Sequence, residues 1–537
     1  MSKKDRLFEQ FPQVSTAAWM EKIQADLKGA DFNKKLVWRT REGLDIMPFY
    51  RAEDLESLHT DTLPGQYPYI RGTKVSNNSW LIRQDIKADN CEAANKKALE
   101  VLMRGADSLG FIISDPETIN ETNINILLKN IHPEAIELNF LTSGRAKELF
   151  DLIKDFAAKR NLKASDINGA IEADPLGRLM RNGTLCISPG EGFDYLAALT
   201  RQTLEFPNLK TVHISVSDFN NAGADIVTEL AFGLAMGSEY MNQLTGRGLI
   251  GSDAASKLRF SFAAGSNYFF EIAKLRAARL LWSVIQKGFG IEDPHEMCIH
   301  CTTSRWNMTV YDPYVNMLRT QTEAMSAVLG GTRSLTVAPF DIAFKESDDF
   351  SERIARNQQL ILKEEAHFDK VADPAAGSYY IEKLTGDLAD NAWKLFLEVE
   401  AMGGFLEGLK SGYIQKKIAA SAATAKKDVA SRKTVLLGTN QYPMIGETLQ
   451  PAADTERMFS KKASPEDMLV EPLLLFRGSE EYEKLRLSVE KSGKNPVVFL
   501  LTIGNPVMRK ARAQFSAVFF GCAGYSVIDN IGFATIE

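Results

Sequence analysis

The sequence is poor in the residues that most often mark a compartment or a reaction. In 537 residues it has 5 cysteines and 6 histidines. The cysteines, at positions 91, 186, 298, 301 and 522, are odd in number and scattered through a chain far larger than disulfide-stapled secreted domains. They read as reduced thiols of a cytoplasmic protein. The longest apolar runs, 497–502 and 515–521, fall well short of the roughly 20 residues that span a bilayer, so no membrane role is expected. The opening MSKKDRLFEQFPQ lacks an apolar signal segment and carries Asp5 and Glu9, acids that transit peptides avoid. Positive charge is not in excess either: 63 basic residues face 69 acidic ones, for a net charge of −6. That balance offers no footprint for phosphates and argues against a nucleic-acid partner.

What is present is the material of a large folded protein, with 45% hydrophobic and 25% charged residues. Single cores stop growing near roughly 250 to 300 residues, so several units are expected. Residues 1–58 read as an arm: an amphipathic helix with Trp19, Ile23 and Leu27 on one side, then two short strand-like pieces, too little to stand alone. Residues 59–400 alternate short Ile- and Val-rich runs, such as 110–114, 135–140, 167–172, 212–217 and 297–302, with helical segments. Near-continuous apolar strands, each followed by a helix, predict a parallel sheet buried on both faces, and a (β/α)8 TIM barrel fits the alternation and the length. Residues 401–490 read as a helical linker, whose Ala- and Lys-rich part suits a solvated connector. From 491 to 537, PVVFLLTIG, a helix and YSVIDN predict a buried strand, a helix and a second parallel strand. That is the start of a flavodoxin-like α/β domain with too few residues to finish one, so the sequence reads as stopping inside a domain.

Local motifs do not name a reaction. Gly246, Gly248 and Gly251 fit the G-x-G-x-x-G spacing of a phosphate loop, but they follow a helix where such a loop must follow a strand, which predicts an interhelical turn. Cys298, His300 and Cys301 have zinc-type chemistry. On a strand, however, Cys301 points away from the other two, so a lining role is expected. Of the histidines only His213 and His300 fall on expected barrel strands, and no Ser/His/Asp arrangement, P-loop or His-Glu-x-x-His occurs.

Longer segments carry more. LRTQTEAMSAVLGGTRSLTVAPFDIAF from Leu318, followed by SERIARNQQLILKEEAHFDKVADPAAGSYYIE, closely resembles the signature region of the methylmalonyl-CoA mutase family. TREGLDIMPFY, PGQYPYIRG, NNAGADIVTELAFGLAMGSEY, FEIAKLRAARLLW and HCTTSRW are similar to family text in the correct order. The resemblance implies an arm that wraps a partner, a barrel whose channel admits coenzyme A, and a C-terminal domain of the cobalamin-binding type. In active subunits adenosylcobalamin supplies the radical, and the barrel binds and polarises the thioester.

The departures from the family are informative. Where active subunits resemble TIRQYAGF, this chain has Asp85 in place of the tyrosine between cofactor and substrate. Where they resemble GYHMQEAGA, Asp218 replaces the histidine that hydrogen-bonds the thioester carbonyl. An ionised carboxylate only accepts hydrogen bonds and repels a developing oxyanion. The cobalt-ligand motif Asp-x-His-x-x-Gly is missing around Gly504, Val507 and Arg509, and Met508 reads as a helix core residue and not as a substitute ligand. The resemblance therefore implies a small, non-catalytic subunit, with no catalytic, cofactor or metal residues of its own. Its expected partner is a homologous catalytic large subunit carrying both the adenosylcobalamin and the acyl-CoA. Two alternatives stay open: an active mutase of altered substrate range, and a barrel that senses coenzyme A without turnover.

Overall fold

Successive strand residues face opposite sides, so in a closed barrel one set meets the surrounding helices and the other meets the axis. The computed structural model describes residues 11, 14–56, 58 and 61–533. An antiparallel ribbon of β1 (Trp38–Arg39) and β2 (Asp45–Ile46) precedes the barrel strands. These are β3 (Leu81–Lys87), β4 (Ser108–Ile113), β5 (Glu137–Thr142), β6 (Gly169–Ala173), β7 (Leu209–Ile214), β8 (Leu258–Ala264), β9 (Ile299–Thr303) and β10 (Ser334–Thr336). All pair in parallel, and β10 closes the barrel on β3. The (β/α)8 architecture expected from the alternation is the one the chain forms.

The outward-facing set is apolar and fully enclosed: Ile82, Leu109, Phe111, Phe140, Ile171 and Phe262 are buried against the helices. The helices answer with the matching period. Ala146–Lys159 buries Leu149, Phe150, Ile153 and Phe156 at the spacing of one helical face, and Phe150 meets Phe206 edge-on at 5.2 Å. Each such side chain contributes about 1.5 to 3 kcal/mol on burial. Helix starts are fixed locally. Ser188 and Glu191 form a reciprocal capping box ahead of Pro189–Gln202, and Asp225 caps Ile226–Thr245 through the Thr228 amide. The glycine motif falls between Ile226–Thr245 and Gly251–Ser256 as an interhelical turn, with Gly248 at φ +83°.

Two parts differ from expectation. The stretch read as a solvated connector is packed: in Tyr413–Ala430, Ile414, Ile418, Ala425 and Val429 are buried, and Ser421 Oγ accepts the Asp225 amide at 2.8 Å. Its lysines mask an apolar stripe at helical spacing. Residues 431–479 then run without helix or strand, so this stretch is largely irregular rather than helical until Glu480–Lys491. In the arm, Thr16–Asp26 buries no residue, although Trp19 stacks near Phe49 at 5.4 Å.

At the C-terminus β11 (Val497–Phe499) and β12 (Ser526–Ile528) pair in parallel beside the helix Pro506–Gly521. Two strands and one helix cover little surface. Phe499 remains 52% exposed and Met508 53%. The expectations of a buried strand and a core methionine are thus corrected, because among the described residues no second layer lies over them. His59 lies outside the described residues.

Candidate functional site

The inward-facing set of barrel residues is polar and charged, and it fills the axis. Arg83 on β3 donates through Nε to Asp85 Oδ1 at 2.6 Å and through Nη1 to Glu172 Oε1 on β6 at 2.8 Å. His213 Nδ1 on β7 lies 3.5 Å from the other Glu172 oxygen. One layer away, Arg259 on β8 donates to Asn139 Oδ1 on β5 and to Ser334 Oγ on β10, the latter at 2.7 Å, with Glu137 at 3.4 Å. Ser108 donates to Glu137 at 2.8 Å, and His300 Nδ1 meets Ser334 Oγ at 2.9 Å. Gly110 makes room for the first layer, since a Cβ there would come within 1.9 Å of Asp85 Oδ1.

The electrostatics follow from this packing. Burial pushes the Glu172 carboxyl up, but the charges of Arg83 and His213 outweigh it and hold the group at about 2. Burial likewise raises Glu137, and Arg259 with Arg333 again outweighs it, so its net shift is downward. For His300 burial and the neighbouring Arg83 and Arg259 act in the same direction, holding the imidazole well below its usual range and neutral. The lumen is therefore a set of buried ion pairs around a neutral histidine.

Above this filling, at the C-terminal ends of the strands where barrel enzymes place their sites, lies a cavity of about 1060 Å³. Asp85 and Asp218 both line it, as do Arg181, Arg305 and Arg356. Asp218 sits in the short helix Ser217–Asn221 after β7 and accepts from Arg181 Nη1 at 2.5 Å. Burial raises the Asp218 carboxyl above its ordinary range against the pull of that guanidinium. The two substituted positions are thus brought together, and each carboxylate is already engaged by an arginine of this chain.

Gly504, Val507 and Arg509 are not in the cavity wall. They lie at the start of Pro506–Gly521, where Asn505 Oδ1 accepts the Val507 and Met508 amides at 3.0 and 3.4 Å and Val507 is 76% exposed. Of the Cys298, His300 and Cys301 group, His300 faces the axis while Cys301 faces the helices, paired across to Leu335. Sequence reasoning missed the lumen residues Arg83, Glu137, Glu172 and Arg259 and the cavity residue Arg305. The signal was present in β3, where LIRQDIK alternates apolar with charged residues and so marks a strand with a charged inner face.

The profile of the family described as methylmalonyl-CoA mutase matches residues 39–121 and 117–464. A protein of Porphyromonas gingivalis named methylmalonyl-CoA mutase small subunit is 47% identical over 100% of this chain and 86% of its own length. A methylmalonyl-CoA mutase small subunit of Propionibacterium freudenreichii subsp. shermanii is 32% identical over 98% of this chain and 82% of its own. The methylmalonyl-CoA mutase of Cereibacter sphaeroides is 35% identical over 80% of this chain, which spans 64% of that protein.

Proposed function

The chain belongs to the methylmalonyl-CoA mutase family, and from that premise we propose that it is the small subunit of a heterodimeric methylmalonyl-CoA mutase, supporting a homologous catalytic large subunit without turning over substrate itself. The observation that carries the reading is the filled barrel axis. An acyl-CoA that threads a barrel needs a lumen lined by small side chains, whereas here Arg83 with Glu172 and Arg259 with Glu137 occupy it. The altered-substrate and coenzyme A-sensing alternatives both need that same path.

Adenosylcobalamin, the cofactor of the assembled enzyme, does not fit the residues of this chain. No histidine follows His367, and the side chain at the head of the C-terminal helix, Asn505, is engaged with its own helix amides. At the two positions where active subunits resemble a tyrosine and a histidine, Asp85 and Asp218 hold arginines. A carboxylate paired in this way neither donates to a thioester oxygen nor shields a radical, so the reading assigns cofactor and acyl-CoA to the partner.

Residues 1–58 and the outer barrel helices are the proposed contact surface. The arm helix buries nothing of its own in this chain and leaves Trp19 48% exposed. Co-expression with the large subunit, sizing, and a mutase assay with adenosylcobalamin on each chain and on the mixture test the proposal. One-to-one co-elution with turnover only when the large subunit is present supports it, and turnover by this chain alone overturns it.

A further inference from the structure

At the N-terminal end of the barrel, opposite the mouth cavity, a small pocket is lined by Arg71, Lys74, Asn78, Arg279, Gly331 and Asp373, among others. Lys74 precedes β3, and its Nζ donates to Thr332 O, just before β10, at 3.0 Å. Arg279 reaches the same turn: its Nη1 donates to Gly330 O at 2.8 Å and its Nε to Tyr69 O at 2.9 Å. Both cations rest on backbone carbonyls, and among the described residues no carboxylate is in ion-pair contact with either. Asp373, the acid of the pocket wall, is taken by Arg71 at 3.1 Å and by Arg276. Arg333 and Lys363 add positive charge around Lys74, and the acid that acts on it, Glu296, sits 3.8 Å from Arg333 Nη1. Burial, and after it the charges of Arg279 and Arg333, bring the Lys74 ammonium down to about 7. Burial and the neighbouring Arg276 likewise lower Arg279, to about 10.

A desolvated lysine beside other cations is a nucleophilic amine at neutral pH. Here about half of it is unprotonated at pH 7, against roughly one part in 3,000 for a lysine of ordinary basicity. We propose that Lys74 is a modification site whose amine takes up carbon dioxide to form a carbamate beside Arg279 and Arg333. The ammonium first gives a proton to solvent. The nitrogen lone pair then bonds to the carbon of carbon dioxide, one C–O π pair moves onto oxygen, and a second proton leaves nitrogen, giving –NH–COO⁻. No other reactant is consumed. The product turns a cation into an anion among three cations and gives the buried Arg279 a carboxylate in place of carbonyl partners alone. An acyl adduct would end neutral and leave Arg279 without a counter-ion. The site stands on this chain's own residues and holds whether or not the chain is a subunit of a heterodimer.

The test is chemical trapping on the full chain. The protein is equilibrated at neutral pH with ¹³C-bicarbonate, which supplies dissolved carbon dioxide, and any carbamate is ethylated with triethyloxonium and located by peptide mass spectrometry. Lys74 is expected to carry the ¹³C-labelled ethyl carbamate in about tenfold or greater excess over Lys416, an exposed lysine of the helix Tyr413–Ala430. The label is expected to fall away as pH drops below about 7, where the amine is protonated. Labelling of Lys74 no greater than that of Lys416 overturns the site. Cyanate applied in parallel reports amine reactivity alone: preferential reaction of Lys74 with cyanate but none with carbon dioxide overturns the carbamate and leaves a merely nucleophilic lysine. A second measurement needs no trapping. Bicarbonate is expected to raise the unfolding temperature of the parent chain above that in chloride of equal ionic strength and to leave Lys74→Arg, which keeps the charge, unmoved. An equal rise in both chains overturns the assignment to Lys74.

Discussion

Replacing Arg83 by methionine removes one guanidinium and strands two carboxylates. The Arg83 side chain is 2% exposed and donates to Asp85 and Glu172 at 2.6 and 2.8 Å. Asp85 faces the cavity and can hydrate, but Glu172 is enclosed. The magnitude comes out alike by two routes. Breaking a buried pair by removing one partner costs about 3 to 5 kcal/mol. Alternatively, Glu172 is held at about 2 against an ordinary value of 4.5, and that displacement is worth about 3 kcal/mol at neutral pH. The sign is that of a depressed acid: the stabilisation is complete above pH 4.5 and is lost as pH falls towards about 2. Arg83→Met is therefore expected to lower the unfolding free energy by about 3 to 4 kcal/mol at pH 7, with the gap to the parent chain closing below pH 4.5. Urea titrations followed by intrinsic tryptophan fluorescence at several pH values read both effects. Arg83→Met with Glu172→Met, which removes both charges, is expected to recover most of the loss. A variant as stable as the parent, or a deficit that does not change with pH, would refute the reasoning.

Three further outcomes are expected. Asp85→Tyr with Asp218→His restores the side chains seen at those positions in active subunits but leaves the axis filled, so the chain alone should show no mutase turnover with adenosylcobalamin; measurable succinyl-CoA formation would contradict this. His300 is neutral when folded and takes a proton at about 6.5 when unfolded, so stability should fall as pH drops below that value; His300→Gln should flatten that slope in urea titrations. Burial raises the Glu323 carboxyl to about 8, with its Oε1 accepting from Asn307 and its Oε2 unpaired. A raised acid loses stability as pH climbs from 4.5 towards 8, so Glu323→Gln should stabilise the chain by roughly 3 kcal/mol at pH 7 and by nothing at pH 4.5.

How much of this was legible in the sequence depended on which side of each strand was apolar. Strands β4, β5 and β7 carry Leu109 and Phe111, Leu138 and Phe140, and Val212 and Ile214, and these produced the Ile- and Val-rich runs that announced a barrel. β3, β8 and β10 did not stand out, because LIRQDIK, LRFSFAA and SLT interleave apolar with polar residues, the pattern of an antiparallel surface strand. In a barrel the same alternation means a charged axis. Asp85 and Asp218 were found by their resemblance positions, and the structure adds their arginine partners, which no spacing rule connects: Arg83 is two residues from Asp85, but Arg181 is 37 residues from Asp218. Arg305 was passed over inside HCTTSRW because an arginine in a loop carries no pattern. Its place in the cavity wall, facing Asp85 and Asp218, exists only in three dimensions.

A barrel that takes no ligand along its axis still has to fill that space, and apolar side chains of similar volume would do so at no lower stability. This chain uses charges instead, and its arginines reach across to strands that are not neighbours in the sheet. Arg83 ties β3 to β6, Arg259 ties β8 to β5 and β10, and Glu172 is shared between β3 and β7. An apolar filling can slide by a methylene with little cost, whereas a hydrogen-bonded ion pair is satisfied over a narrow range of distance and angle. Cross-barrel struts of this kind fix the relative heights of the strands and hence the positions of the outer helices. For a subunit whose proposed work is to hold a partner and not to move a substrate, rigidity of that outer surface is the property that matters. The coupling energy between Arg83 and Glu172, measured by the double replacement above, is the direct measure of how much the lumen contributes to it.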